Sequence, residues 1–252
     1  MIPISPCHVP TSVVAPDGRT LWGLDEYPKD PRGLIGLTAH GVKDCWVDNA
    51  YQLKPAHLQG EGWVIDLGAS FGPFSFFAAS LGAKVIAVEP NLLTYGCLVK
   101  NVVENDMVGR IYPVWCAVGG KPGRAKLTSA LTASRVILGE GNHRPATFDV
   151  EVMTLTGILD AFGLDDVSFC KMDCESSEYE VIASMEERDL ARIRRLVIET
   201  HQNFDGINEP RKKALIAKLL PTHDVHSYPS IFQLDGGWAG RDVTATRREG
   251  CK

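Results

Sequence analysis

The sequence predicts an α/β protein in which about seven mostly parallel strands form one sheet flanked by helices. Two observations lead to this prediction. From about residue 61, apolar β-branched runs alternate with segments of helical periodicity, and a glycine-rich turn follows the first of these runs. Residues 1–60 are instead rich in proline and glycine. We therefore expect an N-terminal arm over 1–60, with a helix around 42–53, and a main domain over 61–252.

The first two strands and helices have the clearest local signals. The segment "WVIDL" (63–67) predicts a strand, and the helix after it has Pro73 in its first turn and Gly82 at its end. The segment "AKVIAVE" (83–89) predicts a second strand, and residues 92–105 place apolar side chains at helical spacing. Strands separated by helices in this way are expected to be parallel.

The rest of the chain continues this alternation. A third strand is expected in "RIYPVWCAVG", ending near Val118, and a strand pair with a surface connection through 139–145 is expected in "GRAKLTSA" and "TFDVEVMTL". The later elements are expected to be a fourth buried strand in "VSFCKMD", a helix over 177–185, a fifth strand in "IRRLVIET", a helix over 209–220, a strand in "THDVHSY" and an edge formed by "SIFQLDGG" and "RDVTATRR".

Composition and charge narrow the class of protein. The seven cysteines are an odd number without a CxxC pair, so we expect neither a disulfide framework nor a zinc ribbon. A formal net charge of −5 disfavours a broad phosphate-binding surface. The apolar runs are shorter than the roughly 20 residues of a membrane span, and the first residues lack the pattern of a secretory signal. We expect a cytoplasmic protein without a membrane partner.

The turn after the first strand, "DLGASFG" (66–72), is the expected ligand site, because ligands bind beyond the carboxyl ends of the strands in open parallel sheets. Gly68 and Gly72 stand where the backbone must turn tightly and approach a ligand closely. Glu89, at the end of the second strand, can accept two hydrogen bonds from ribose hydroxyls. The alternative is that the two glycines only serve a tight turn and that Glu89 is a solvated charge.

The identity of the ligand follows from what this turn lacks. A dinucleotide site asks for G-x-G-x-x-G, whereas Ala69, Ser70 and the bulky Phe71 follow Gly68 here. Asp66 is an anion that would repel a pyrophosphate but attract an ammonium group. A ligand with a ribose and a nearby positive charge satisfies both observations, which predicts S-adenosylmethionine.

Four segments together resemble the FkbM-type methyltransferases in order and spacing. They are "VIDLGASFGPFSFFAASLGAKVIAVEPN", "AVGGKPG", "CKMDCESSEYEVI" and "LVIETH". The resemblance covers about residues 60 to 235, and it implies a class I methyltransferase (Rossmann-like) fold with S-adenosylmethionine as the methyl donor. It further implies O-methylation of a hydroxyl on a small molecule, a sugar or a natural product.

The resemblance also assigns residues. Those that match the glycine-rich donor loop are Asp66, Gly68, Ala69, Ser70 and Gly72. Those that match the rest of the donor site are Glu89 for the ribose, Pro90 and Asn91 for the adenosine, Ala117 for the adenine pocket and Asp173 for the methionine end. One position departs from the family pattern D-x-E-G-x-E, since Ser176 replaces the glycine. If that glycine has a positive φ, Ser176 is strained.

Glu175 and His201 are the candidates for the general base, because they follow the fourth and fifth strands on the side where the donor methyl is expected. The alternatives are that Glu175 caps the helix near residue 177 and that His201 has no chemical role. Asp173 and Glu199 lie close to both in the predicted topology, so a divalent metal site is possible there. We nevertheless expect no metal, because no ligand spacing requires one.

Two alternative functions remain open. One is a tRNA or other RNA base methyltransferase, which the acidic balance and the missing N-L-P-type motif after the fourth strand disfavour. The other is a binding module that has lost turnover. We expect a small hydroxylated acceptor and no nucleic acid partner. The side chains that can line an acceptor pocket, or simply pack, are Trp22, Trp46, Tyr51, His143 and Arg144.

Overall fold

The computed structural model describes residues 12–14, 20–22, 41, 43–128, 136–137, 147–201, 209–228 and 243–251. The strands are β1 (Ser12–Val14), β2 (Thr20–Trp22), β3 (Trp63–Leu67), β4 (Lys84–Val88), β5 (Ile111–Val114), β6 (Ala117–Val118), β7 (Gly123–Thr128), β8 (Val136–Ile137), β9 (Thr147–Met153), β10 (Phe169–Met172), β11 (Arg195–Ile198), β12 (His223–Ser227) and β13 (Val243–Arg247). The α-helices are α1 (Pro73–Ser80), α2 (Leu92–Glu104), α3 (Leu155–Ala161), α4 (Glu178–Ser184), α5 (Glu187–Leu190) and α6 (Glu209–Leu219).

The main sheet has seven strands in the order β12-β13-β11-β10-β3-β4-β5. From β11 to β5 neighbouring strands are parallel, and β13 is antiparallel to both of its neighbours. The strand order reverses between β3 and β10, so their carboxyl ends open the crevice where such sheets bind ligands. This architecture confirms the predicted class I methyltransferase (Rossmann-like) fold.

The turn from β3 into α1 is built as the local sequence predicts. Gly72 precedes the helix with a φ of 98°, and Pro73 is the first helical residue, where its missing N–H costs nothing. The helix ends just before Gly82, whose φ is 101°. In β3, Val64, Ile65 and Leu67 are fully buried, because helices cover both faces of a parallel sheet.

Two predicted elements are corrected. The third strand does not run to Val118, because β5 ends at Val114. Just beyond β4, the Glu89 N–H donates to the Val114 carbonyl. The next strand, β6, pairs with β9 in a second sheet of order β6-β9-β7-β8. Nor is there one helix over 42–53. A π-helical turn spans Lys43–Val47, and the left-handed residues Asn49 and Gln52 (φ 46° and 55°) end helical geometry. The predicted connection at 139–145 and the strand at 230–237 lie outside the described residues.

Residues 43–57 pack against the main sheet. Tyr51 and Leu53 are buried in the same apolar cluster as Val64 and Phe74. The Trp46 ring packs edge-on against Phe77, and its indole N–H donates to the Pro73 carbonyl at 3.0 Å. This segment is therefore part of the core, whereas the boundary near residue 60 stays a prediction. None of the helices in the described part of the chain has the length and apolar character that a membrane crossing requires.

Candidate active site

The donor loop, residues 68–72, lies at the carboxyl end of β3 and is held mainly by backbone contacts. The N–H groups of Gly68 and Ala69 donate to the Val88 carbonyl at 3.0 and 2.9 Å. Gly68 has a φ of 75°, and a Cβ there would stand 1.9 Å from the Asp173 carbonyl oxygen. A Cβ on Gly72 would stand 2.7 Å from Leu98. Close packing against the backbone therefore requires Gly68, and the left-handed φ of 98° favours glycine at position 72, independently of any ligand.

Glu89 organises the other side of this loop. Its Oε2 accepts the Ser70 N–H at 2.8 Å, and its Oε1 accepts the Asn91 N–H and the Thr94 hydroxyl, each at 2.8 Å. Burial raises the pKa of Glu89, although these three donors oppose the shift. A carboxylate has about four acceptor positions, so without rearrangement Glu89 can accept about one ribose hydroxyl, rather than the two that the sequence suggests.

Asp66 lies beneath the loop, not in the crevice. It is fully buried, its Oδ2 accepts the Ser75 hydroxyl at 2.6 Å, and its Oδ1 lies 3.1 Å from the Lys171 ammonium. The predicted role of this carboxylate, to attract an ammonium group of the ligand, is therefore corrected. The chain supplies that ammonium group itself, because Lys171 stands beside Asp66 in the parallel register of β10 and β3.

Lys171 is a residue that sequence reasoning missed. Its ammonium donates to the Gly68 carbonyl at 2.7 Å and the Leu67 carbonyl at 3.3 Å, and it lies 3.8 Å from Asp173 Oδ2. Burial disfavours its charged form, but the carboxylates of Asp66 and Asp173 outweigh burial and raise the pKa of Lys171. One signal was available, namely a lysine in the middle of the apolar strand "FCKM".

Asp173, Glu175 and His201, predicted from separate segments, are brought together at the ends of β10 and β11. Asp173 Oδ1 lies 3.5 Å from His201 Nε2, and Glu175 Oε2 lies 3.9 Å from the same nitrogen. Glu199 Oε1 stands 4.0 Å from it. Glu178 faces the other ring nitrogen, Nδ1, at 3.3 Å. Four carboxylates thus surround one imidazole.

These charges decide the protonation state of His201. Burial opposes the imidazolium, but Glu178, Asp173 and Glu175 outweigh it and raise the pKa of His201 to about 9. His201 therefore carries a proton at neutral pH and cannot accept another one there. The ring is largely buried among acids, and whether His201 has a chemical role stays a prediction.

Glu178 fixes the geometry of this cluster. It is fully buried, its Oε1 accepts the His201 N–H at 2.7 Å, and its Oε2 accepts the Ser176 N–H at 2.9 Å. Glu178 thus binds the backbone ahead of α4, where Glu175 was the candidate cap. Glu175 and Ser176 have φ values of 52° and 86°. The serine that replaces the family glycine is therefore in the left-handed region that strains it.

A metal ion has possible ligands in the same place. Among the described residues, Asp173, Glu199 and His201 each offer one ligand atom, and these atoms lie within 4.8 Å of one another. Atoms bound to one Mg²⁺ at about 2.1 Å stand at most about 4.2 Å apart, so a small closure would be needed. The expected absence of a metal stays a prediction.

The remaining predicted residues have varied positions. Asn91 is buried, and its side chain caps α2 by accepting the Leu93 N–H at 2.9 Å. Pro90 is partly exposed, and its carbonyl accepts the Trp115 indole N–H at 3.0 Å. Ala117 is buried in β6. Half-exposed Trp115 was not predicted, although a large apolar residue at a strand end is a recognisable signal. His143 and Arg144 lie outside the described residues.

Comparison with known proteins gives the family. The chain is 25% identical over 238 residues to the 31-O-demethyl-FK506 methyltransferase FkbM of Streptomyces tacrolimicus, which covers 81% of this chain and 85% of that protein. It is 24% identical over 206 residues to the methyltransferase sdnD of Sordaria araneosa, covering 69% of this chain and 78% of that protein.

The similarity to a solved structure is low. That structure is TrmK of M. capricolum in complex with S-adenosyl-homocysteine, which is 10% identical with a TM-score of 0.44 and covers 80% of this chain and 67% of that one. Similarity at this level does not by itself establish a relationship. The sequence profile described as "Methyltransferase FkbM domain", however, matches residues 66–228, which is more than half of the chain. With the sheet order and the donor loop in place, the chain belongs to the FkbM methyltransferase family and is an S-adenosylmethionine-dependent methyltransferase.

Proposed function

We propose that this chain transfers a methyl group from S-adenosylmethionine to a hydroxyl oxygen of a small molecule. The supporting observation is the group of carboxylates around His201, at the sheet edge that adjoins the donor loop. The relative from Streptomyces tacrolimicus is named as the methyltransferase of 31-O-demethyl-FK506. Acidic side chains at this edge suit both a cationic donor and a hydroxyl that must lose a proton.

The residues present fit the donor. Glu89 has an acceptor position left for a ribose hydroxyl, and Trp115 with Pro90 offers a partly exposed apolar surface for the adenine. Asp173 can receive the ammonium group of the methionine end, since Lys171 already neutralises the buried Asp66. When bound, S-adenosylmethionine supplies an electrophilic methyl group. The sequence-based assignments to this site otherwise stay predictions.

The two candidate bases differ in the pH range over which they can accept a proton. His201 is protonated until the pH approaches about 9, so at neutral pH it can donate a hydrogen bond but not accept a proton. Glu175 lies 3.9 Å from the His201 Nε2, with its side chain about one third exposed. We therefore assign Glu175 as the group that accepts the acceptor's proton at neutral pH, and His201 as the cation that orients it.

The first test is turnover with S-adenosylmethionine and a set of polyols, sugars and phenols, measured as S-adenosylhomocysteine formed. Glu175→Gln should lower kcat by roughly 10²- to 10⁴-fold, because a general base contributes about that much, while the affinity for S-adenosylhomocysteine stays near that of the wild type. Glu186→Gln is the matched control, since Glu186 is two-thirds exposed and pairs with the surface residue Arg188.

Two outcomes would contradict the proposal. Methylation of tRNA under the same conditions, with no small molecule accepted, would favour the RNA base methyltransferase. Binding of S-adenosylhomocysteine without turnover on any acceptor or RNA would favour the non-catalytic module. If Glu175→Gln turns over normally and the rate of the wild type rises along a limb near pH 9, His201 is the base instead.

A further inference from the structure

Tyr51 connects the N-terminal part of the chain to the carboxyl end of β10. Its hydroxyl donates to Asp173 Oδ2 at 3.0 Å, across 122 positions of sequence. Its ring is buried and packs edge-on against Phe74, with the ring centres 5.1 Å apart. The left-handed residues Asn49 and Gln52 flank Tyr51, so a tight turn directs it inward. Nothing in the sequence around Tyr51 indicates Asp173 as its partner.

The two oxygens of the Asp173 carboxylate face different partners. Oδ2 faces Tyr51 and the Lys171 ammonium, at 3.0 and 3.8 Å. Oδ1 faces His201 Nε2 at 3.5 Å. The Lys171 ammonium also lies 5.3 Å from the centre of the Tyr51 ring, within the range of a cation–π contact. The rotation of this carboxylate is therefore set from both sides.

We propose that Tyr51 is a positioning residue of the donor site, which acts through Asp173. The proposal rests on the proposed function, in which Asp173 receives the ammonium group of the donor's methionine end. A carboxylate held in its binding orientation before the ligand arrives does not have to be ordered on binding. Without the hydroxyl, the Asp173 carboxylate can turn toward Lys171 or His201. The donor must then order this carboxylate when it binds, which lowers its affinity.

A purely structural role for Tyr51 is the alternative, because its ring also fills space beside Phe74. Tyr51→Phe separates the two roles, since it keeps the ring and removes only the hydroxyl. Trp46→Phe is the matched control. It removes a side-chain hydrogen bond of the same length from the same segment, but that bond goes to the Pro73 carbonyl at the start of α1 and not to Asp173.

The experiment is isothermal titration with S-adenosylhomocysteine on the full chain, for the wild type, Tyr51→Phe, Asp173→Asn, the double variant and Trp46→Phe. Thermal melting confirms that each variant is folded. Tyr51→Phe should weaken the affinity by about 5- to 10-fold, as expected for one lost hydrogen bond. In the Asp173→Asn background, the same change should have an effect of less than about 2-fold, since the two residues act as a unit. Trp46→Phe should bind within about 2-fold of the wild type.

Three results would overturn the proposal. Tyr51→Phe could bind like the wild type, the effects of Tyr51→Phe and Asp173→Asn could multiply independently, or Trp46→Phe could lose as much affinity as Tyr51→Phe. Each would show that Tyr51 does not act through Asp173. If the wild type itself binds no S-adenosylhomocysteine, the proposed function fails and the role of Tyr51 fails with it, which is a distinct outcome of the same titration.

Discussion

Two regions at the carboxyl edge of the sheet differ in how their charges are balanced. Beneath the donor loop, the Lys171 ammonium lies 3.1 Å from the buried Asp66 and 3.8 Å from the partly exposed Asp173, so the buried carboxylate has an opposite charge beside it. Around His201, four carboxylates face one imidazole, at distances of 3.3 to 4.0 Å. In the first region the Lys171 ammonium neutralises the buried Asp66 and donates to the Gly68 carbonyl of the donor loop. The second has an excess of negative charge, which is a mark of groups that serve a ligand or a reaction.

The largest effect on stability is expected from removal of the Lys171 ammonium. Lys171→Met leaves Asp66 buried without its counter-charge, and it should lower the free energy of unfolding by about 3–5 kcal/mol. Urea denaturation measures this loss. Lys84→Met is the control: Lys84 pairs with the exposed Glu61 at 3.1 Å on the surface, and such pairs contribute about 0–1 kcal/mol. Equal losses in the two variants would show that the Lys171 pair is not specially stabilising.

The acidic cluster around His201 should make the free energy of unfolding depend on pH. The pKa of His201 is raised from 6.5 to about 9, so the imidazolium stabilises the fold fully below pH 6.5, and this contribution is lost as the pH rises through 9. The free energy of unfolding should fall by about 3 kcal/mol at most over that window. Denaturation at a series of pH values measures the slope, and His201→Gln should flatten it. A wild-type curve that is already flat between pH 6.5 and 9 would contradict the raised pKa.

The smallest effect concerns the backbone beside the acidic cluster. Ser176 has a φ of 86°, a conformation that costs a non-glycine residue about 1–3 kcal/mol. Ser176→Gly should therefore stabilise the fold by about 1 kcal/mol, after the greater chain entropy of glycine is subtracted. Ser177→Gly is the control, because Ser177 has a φ of −79° and should lose stability instead. A rise in Tm for Ser177→Gly but not for Ser176→Gly would reverse the interpretation.

The sequence predicted what depends on neighbouring residues. The β3–α1 turn follows from Gly72 and Pro73, whose backbone preferences act locally. The meeting of Asp173 with His201 follows from topology, since Asp173 directly follows β10, His201 comes three residues after the end of β11, and these parallel strands are neighbours in the sheet. A residue that ends a strand and a residue that begins a helix can be identified without knowledge of the rest of the fold.

What the sequence did not predict depends on register and on distant contacts. Asp66 was expected to face a ligand because it ends the first predicted strand, at the edge where the ligand binds, yet β10 places Lys171 beside it. The third strand was predicted to reach Val118 because the residues suit a strand. Its neighbour β4 ends at Val88, so the residues of β6 have no partner strand in the main sheet. Tyr51 was one of several candidates for an acceptor pocket, and its contact with Asp173 crosses half of the chain.

The close approach of Gly68 to Asp173 affects how mutagenesis of the donor loop should be interpreted. Because a methyl group at position 68 would stand 1.9 Å from the Asp173 carbonyl oxygen, Gly68→Ala would push apart the ends of β3 and β10 before any ligand arrived. An alanine scan through the loop would then record a loss of donor binding at Gly68 that originates in the separation of two strands. Glu89→Gln would have the same problem, because the carboxylate accepts hydrogen bonds from Ser70, Asn91 and Thr94 and an amide nitrogen cannot accept them.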